Sequence, residues 1–307
     1  MRLSVIIPTF KRRDYLVKAL RGLADQQRPA DQIVIGVREG DTETLAYLST
    51  VTLPHQIAPT TIPGVIASMS AAAAQTDGDV VCLLDDDAEP LPDWLQRIEN
   101  HFAQEPKLGI IGGRDLLQDH PEMRRQEFLL DRVGLFTWYG RILGNHHRGG
   151  GVYRPVDLVK GCNAAIRGPL LREIGFAQRL RGKGAQVHWE LALCLDVANH
   201  GYTVGFDPAL QVIHHIAPRH DDDQIHRGKF SAEGLHDMIW NEHHVVVSRA
   251  GWLRSQAHLA WSLLVGSLTA PGLVQYLRLV LKKDPHRNQR LATTFRAALA
   301  ARLHRTS

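Results

Sequence analysis

Hydrophobic positions along this chain alternate between two spacings, and each spacing predicts a different element. Leu3 to Pro8 is an unbroken, largely β-branched run that fits a strand buried on both faces. Asp14 to Gln27 then places Leu16, Ala19, Leu20 and Leu23 at helical spacing. Gln32 to Val37 is a second strand, Thr42 to Leu48 a short helix, and Ile66 to Gln75 an alanine-rich helix ending near Thr76-Asp77-Gly78-Asp79. Val80 to Leu84 is again strand-like, and Leu91 to Gln104 is a helix with Pro92 in its first turn, where proline is tolerated. Gly109 to Gly113 adds another strand. Strands alternating with helices in this way predict an α/β fold with a mostly parallel central sheet flanked by helices.

Residues 118–158 break the alternation with Trp138, Tyr139, Asn145-His146-His147 and a glycine run at Gly149-Gly150-Gly151, and read as an irregular insertion or hairpin. The pattern resumes at Val159 to Arg167, followed by a helix over Gly168 to Ile174 and a glycine-containing stretch over Arg179 to Gln186. A helix over Trp189 to His200 and a strand near Gln211 to His214 complete the series. From Phe230 onward the chain reads as helical. Leu259 to Leu277 carries no charge over nineteen positions, close to the length of a membrane span. Ser262, Ser267, Thr269, Pro271 and Gln275 interrupt it, so two arrangements fit equally: a helix pair lying in a membrane interface, or a buried helical cap. The expected division is 1–225, with a donor half at 1–117 and an acceptor half at 118–225, and a helical, basic and apolar extension at 226–307.

Composition narrows the partners. With 44% apolar and 22% charged residues, wholesale disorder is excluded. The formal charge is only +4, but Arg249, Arg254, Arg278, Lys282, Lys283, Arg287, Arg290, Arg296, Arg302 and Arg305 concentrate cations in the last third, which suits a membrane surface or a polyanion. No zinc-finger, RNP or helix-turn-helix pattern is present, so nucleic acid is not an expected partner. Cys82, Cys162 and Cys194 are too far apart for a zinc knuckle and odd in number, and read as reduced packing residues. The apolar run at the N-terminus is short and is followed by Arg12 and Arg13, unlike a signal peptide. A cytoplasmic protein, peripheral at the inner face of the cell membrane, is the expectation.

The sharpest chemical signal is Asp85-Asp86-Asp87, three acids directly behind the buried run Val80 to Leu84. In an open α/β sheet, ligands bind beyond the carboxyl ends of the strands, which is where this triplet falls. Adjacent carboxylates repel one another, and paired hard oxygen ligands select Mg²⁺ or Mn²⁺, ions that take diphosphate oxygens as further ligands. No GxGxxG follows the first strand, which argues against a dinucleotide-dependent dehydrogenase.

Four segments in order, SVIIPTFKRRDYLVKAL, LLDDDAEPLPDWL, KGCNAAIR followed by LLREIGF, and WELALCLDVANHGYTVGFDPALQVIHH, resemble the successive landmarks of family 2 glycosyltransferases over roughly residues 1–216. The resemblance implies a GT-A nucleotide-binding fold and an inverting, metal-dependent transfer of a sugar from a nucleotide diphosphate, a UDP-sugar foremost, to a hydroxyl acceptor in cell-surface polysaccharide or glycolipid synthesis. It implies that Asp85 and Asp86 contact the nucleotide and that Asp87, with His214, holds Mn²⁺ or Mg²⁺. Pro8, Thr9, Phe10 and Arg12 would border the base, ribose and phosphates. Glu39 aligns with an acid that contacts the base, although Arg38 stands where the family carries another acid. Glu190 falls on the catalytic base and replaces the usual aspartate; a carboxylate there can accept the proton of an attacking hydroxyl. Asn163, His188 and Trp189 would meet the acceptor, a saccharide or a lipid-linked one. A sugar-nucleotide-binding scaffold subunit without turnover is the alternative, and Glu190 is the residue that separates the two.

Overall fold

A computed structural model describes residues 1–220 and 230–303. The chain begins β1 (Leu3–Thr9), α1 (Arg13–Ala24), β2 (Gln32–Arg38), α2 (Thr42–Leu48), β3 (Gln56–Thr60), α3 (Val65–Ala73), β4 (Val80–Leu84), β5 (Ala88–Pro90), α4 (Trp94–Gln104) and β6 (Leu108–Leu117). The two-stranded ribbon β7 (Leu135–Phe136) and β8 (Ile142–Leu143) follows, then β9 (Arg154–Val156), β10 (Asn163–Arg167), α5 (Gly168–Ile174), α6 (Trp189–Asn199) and β11 (Thr203–His214). Four helices close the chain: α7 (Ala232–Arg249), α8 (Trp252–Leu264), α9 (Leu273–Leu281) and α10 (Arg287–Leu303).

The main sheet has nine strands in the order β3-β2-β1-β4-β10-β6-β11-β5, with β9 beside β11. Strands β1 to β4, β6 and β11 point the same way; β5, β9 and β10 run against them. The mostly parallel sheet flanked by helices is the architecture the sequence predicts. The central strands are continuous apolar runs because helices cover both faces. Alternation along β1 divides the core: Val5 and Ile7 pack with Leu16, Leu20 and Ile98 of α1 and α4, whereas Ile6 packs with Ile66 and Leu193 of α3 and α6. Pro92 lies before α4, not in its first turn; a proline disfavours helical backbone at the residue preceding it, here Leu91.

Two differences from the sequence reading stand out. Gln56–Thr60 is an edge strand whose apolar content is too thin to announce it, with three of its positions other than buried Ala58 exposed. Strand β6 runs on past Gly113 to Leu117 and carries Arg114 and Asp115 into the interior. The 118–158 segment, read as an irregular insertion or hairpin, holds the β7–β8 ribbon, β9 and three short 3-10 turns.

The closing helices have their own core, in which Leu235, Met238, Ile239 and Trp240 of α7 meet Ala297, Ala298 and Ala301 of α10. The uncharged stretch at 259–277 divides between α8 and α9, with a break at Gly266–Pro271, and none of the described helices is long and apolar enough to cross a membrane. The expected boundary between 225 and 226 lies outside the described residues.

Beneath α8 a polar cluster is buried. His258 is fully enclosed, His243 lies against it with ring centroids 4.5 Å apart, and Glu242 reaches His258 Nε2 at 3.3 Å. Burial, reinforced by the neighbouring His258, drops the His243 pKa to about 3. A histidine kept neutral in the fold takes up a proton only on unfolding, so its contribution falls as pH drops below ~6.5 and continues to fall toward 3. Glu242 responds in a lower window: burial disfavours its charge, but His188 and His258 outweigh this and hold it at about 2, so its contribution is lost as pH falls from ~4.5 toward that value. Wild-type protein is therefore expected to lose about 2–3 kcal/mol between pH 7 and pH 4.5 through His243. Urea melts at the two pH values check this, and His243→Gln should show a shallower pH dependence than wild type.

Candidate active site

A cavity of about 790 Å³ opens at the carboxyl ends of β1 and β4, bordered by Thr9, Arg12, Asp85, Asp87, Lys160 and Glu190. Volume and position are those of a small-molecule site in an open α/β sheet. The acid triplet leaves β4 here, and its three members have different surroundings. Asp86 is turned into the protein: Thr9 Oγ1 donates to its Oδ2 at 2.8 Å and Arg12 Nη1 to its Oδ1 at 3.0 Å. Burial and the neighbouring Asp87 still lift its pKa to about 6, against the opposing pull of Arg12. Among the described residues Asp85 has no such cation pairing, and burial together with the charge of Asp87 raises it to about 7. Burial opposes charge on Asp87 as well, but the neighbouring His214 and Arg12 prevail and hold it well below the usual carboxylate range.

Asp87 is anchored on one side and open on the other. Ala217 N–H donates to Oδ2 at 2.9 Å, whereas Oδ1 is buried and accepts no hydrogen bond among the described residues, with His214 Nε2 3.3 Å away. The other ring nitrogen of His214 lies 3.2 Å from Asp115 Oδ2, an oxygen to which the imidazole can hydrogen-bond only as Nδ1–H. With Nδ1 protonated, the Nε2 lone pair faces Asp87 Oδ1, and only a proton or a cation between them removes that repulsion. Burial works against charge on His214, and the two carboxylates overcome it and raise its proton affinity. A buried carboxylate oxygen without a donor beside an imidazole nitrogen is a donor set that fits Mn²⁺ or Mg²⁺.

Asp115, Cys162 and His214 also bring their ligand atoms within 4.8 Å of one another. The Lys160 ammonium is already ion-paired with Asp115, and its Nζ lies 3.5 Å from His214 Nδ1. Burial pushes the Cys162 thiol well up, so it stays protonated and ligates poorly. A resident cation therefore suits the Asp87 face of His214 better than the Asp115 face, where Lys160 supplies the charge.

Glu190 stands in the first turn of α6 and lines the same cavity. Burial raises its pKa, partly offset by its own backbone N–H. Its approach depends on Gly161, where a Cβ would sit 2.0 Å from the Trp189 ring and 3.0 Å from Glu190 Cγ. The turn into α6 is strained, with Gln186 at φ 42° and His188 at φ 75°. Side chains hold it in place. Gln186 accepts from Ile66 N–H at 3.1 Å and donates to Leu180 O at 3.1 Å, and Asn241 of α7 donates to Arg181 O at 3.1 Å and Val187 O at 3.3 Å. Helix α7 thereby contributes Glu233, Asp237 and Met238 to the cavity wall.

Pro8, Thr9, Phe10, Arg12, Asp85, Asp86, Asp87, Trp189, Glu190 and His214 all border the cavity, as the sequence reading groups them. Three other expectations meet different surroundings. Asn163 is fully buried, accepting from Trp94 Nε1 at 2.8 Å and donating to Leu210 O at 2.9 Å, so its amide joins strands instead of facing an acceptor. His188 points to α7, with Nε2 3.2 Å from Glu242 Oε2. Glu39 is exposed and outside the cavity lining, while Arg38 borders it, its guanidinium 4.8 Å from the centre of the Phe10 ring. His215 turns away to Glu89, at 2.9 Å, and His146 is buried against Leu158 O, at 3.0 Å. Asp115 and Lys160 escaped the sequence reading. The signal available for Asp115 is an acid two positions behind the apolar run Gly109 to Gly113, separated from it by Arg114.

An open α/β sheet with an acid cluster, a buried carboxylate on α6 and a cavity at its carboxyl edge agrees with the GT-A architecture of glycosyltransferases. Residues 4–171 match the family described as Glycosyl transferase family 2, and the chain belongs to that family. Among solved structures, the mannosyltransferase PcManGT from Pyrobaculum calidifontis, in complex with GDP-Man and Mn²⁺, is similar with TM-score 0.55 and 17% identity, covering 99% of this chain and 86% of that one. S. aureus TarS 1–349 in complex with UDP-GlcNAc has TM-score 0.60 and 14% identity, covering 97% and 82%. GalNAc-T7 with UDP, GalNAc and Mn²⁺ has TM-score 0.60 and 13% identity, covering 81% and 48%. Among curated proteins, the uncharacterized protein y4gI of Sinorhizobium fredii is 26% identical over 176 residues, which make up 53% of this chain and only 18% of that protein.

Proposed function

We propose that this glycosyltransferase is inverting and metal-dependent, with a UDP-sugar as leading donor and a hydroxyl of a saccharide or lipid-linked acceptor as nucleophile, in cell-surface polysaccharide or glycolipid synthesis. The enzyme would work in the cytoplasm, peripheral at the inner face of the membrane. The observation that carries this reading is that Glu190, a buried carboxylate of raised proton affinity, lines the same cavity as Asp85, Asp87 and His214. In a single displacement the acceptor oxygen attacks the anomeric carbon as its proton passes to Glu190, and the bond to the diphosphate breaks with its electron pair leaving on oxygen. Attack from the face opposite the leaving group inverts the anomeric centre without a covalent intermediate.

Asp87 and His214 would hold Mn²⁺ or Mg²⁺, which when bound neutralises charge on the departing diphosphate. Thr9 and Arg12 fix Asp86 and so the shape of the loop after β4. Phe10 and Arg38 border the end of the cavity where a base can stack. Calorimetric titration with UDP, GDP and dTDP, each with Mn²⁺ or EDTA, should give cation-dependent binding of one nucleotide, UDP first. Proton NMR of the transfer product should then show the anomeric configuration opposite to the donor. Retention of configuration overturns the single displacement, and nucleotide binding without any turnover favours a scaffold subunit.

A further inference from the structure

Helix α9 is amphipathic with its apolar side facing outward. Leu273, Val274, Leu277, Val280 and Leu281 are 40–84% exposed, whereas Leu279 is the residue of this helix that is buried. At 100° per residue the five exposed positions fill an arc of about 120°, with Leu279 well outside it. A helix on the surface of a soluble domain ordinarily turns such an arc inward. Leu264 and Leu268, 56% and 41% exposed, extend the apolar surface on the N-terminal side, where the Gly266–Pro271 bridge fixes the turn between α8 and α9.

Charge identifies what this surface meets. Arg278 and Lys282 follow the apolar arc on the helix wheel, Lys283 comes next in the chain, and all three are exposed. No acid occurs from Leu259 to Lys283. An isologous pair of such faces would bring like charges together without a carboxylate from this segment to offset them. An anionic lipid surface complements both parts, the leucines entering the acyl boundary and the cations meeting headgroup phosphates. We propose that α9 and the turn before it dock this enzyme on an anionic bilayer, with α9 lying in the plane of the interface. At nine residues the helix is about 13 Å long, far short of a span.

This inference deepens the reading of a membrane-proximal acceptor and rests on it for its purpose. Helix α10 packs on both α9 and α7, and α7 borders the cavity, so a docked α9 would hold the cavity at a set height over the lipid surface. The test is sedimentation of the full chain with phosphatidylcholine vesicles, with and without phosphatidylglycerol. Wild-type protein should bind the anionic vesicles at least about tenfold more tightly than the neutral ones and lose binding as salt rises. The double variant Leu277→Glu, Leu281→Glu should lose this binding, and Lys282→Glu, Lys283→Glu should lose its dependence on phosphatidylglycerol.

Both variants change exposed side chains, and cation-dependent nucleotide binding, measured in parallel, should be unchanged in each. That second measurement also separates the two readings, since vesicle binding can fail while nucleotide binding persists, and the reverse. Absence of wild-type binding to anionic vesicles overturns the proposal, as does equal binding by wild type and the leucine variant. So does a dimer by light scattering that the leucine variant dissolves, which would make a second copy the occupant of this face.

Discussion

Glu190→Gln is expected to lower the turnover of sugar transfer by about 10³-fold while nucleotide affinity changes by no more than about twofold. The amide has the shape of the carboxylate and keeps the fit against Gly161 and Trp189, but it cannot accept a proton from the attacking hydroxyl. Burial favours the neutral form of this group, so the loss of stabilising solvation in the ground state is small and the defect should appear in the chemical step. A pH profile gives an independent reading. The base must be deprotonated to work, so kcat/KM should fall as pH drops through its raised pKa, above the range of an ordinary glutamate, and the glutamine variant should lose that limb. Single-turnover kinetics with calorimetry of the same protein separates the two effects. Turnover within about threefold of wild type would move the base elsewhere and leave Glu190 a helix-terminal acid favoured by the macrodipole.

The parts of this site that were readable in the sequence are those in which a local pattern dictates a global position. A short apolar run bounded by turn residues fits an interior strand, and an acid triplet directly behind it falls beyond the strand's carboxyl end; Val80–Leu84 and Asp85–Asp87 follow that pattern. Leu16, Ala19, Leu20 and Leu23 of α1 and Trp94, Leu95, Ile98 and Phe102 of α4 show helical stripes that burial matches. What spacing does not carry is the direction of a side chain whose partners come from distant elements. Asn163 was placed near an acceptor by its motif, yet the indole of Trp94, sixty-nine positions away, takes its carbonyl. His188 adjoins the catalytic turn in sequence and leaves it in space, because a left-handed backbone turns it toward Glu242. Lys160 gave no local signal, since its role exists only once β6 and β11 bring Asp115 and His214 to it. The contribution of α7 to the cavity was hidden for the same reason: Glu233 and Asp237 follow the sheet in sequence and face it only through packing against α6.

Asp87→Ala is expected to abolish the Mn²⁺-dependent part of nucleotide binding and to reduce transfer by about 10³-fold or more, with EDTA imposing the same defect on wild-type protein. The argument rests on the asymmetry of the carboxylate. Its Oδ2 is held by Ala217 N–H at 2.9 Å, and Arg12 Nη1 approaches the same oxygen at 3.8 Å, so the side chain is fixed before any ligand arrives. Its Oδ1 has no donor and faces His214 Nε2, whose orientation is set from behind by Asp115. Removing Asp87 takes away one of two cation ligands and also the carboxylate that faces Nε2. Two comparisons separate these effects. Asp115→Asn leaves both ligands in place but replaces the acceptor-only carboxylate that fixes the imidazole tautomer by an amide that can also donate to Nδ1, and should weaken Mn²⁺ affinity by about 10-fold to 100-fold without abolishing it. Asp86→Asn should act mainly on thermal stability, because that carboxylate is engaged by Thr9 and Arg12 and its loss leaves a buried guanidinium without its nearest partner. Electron paramagnetic resonance of bound Mn²⁺ across the three variants checks the ordering. Equal Mn²⁺ affinity in wild type and Asp87→Ala would place the cation on the Asp115 face of His214, against the repulsion of Lys160.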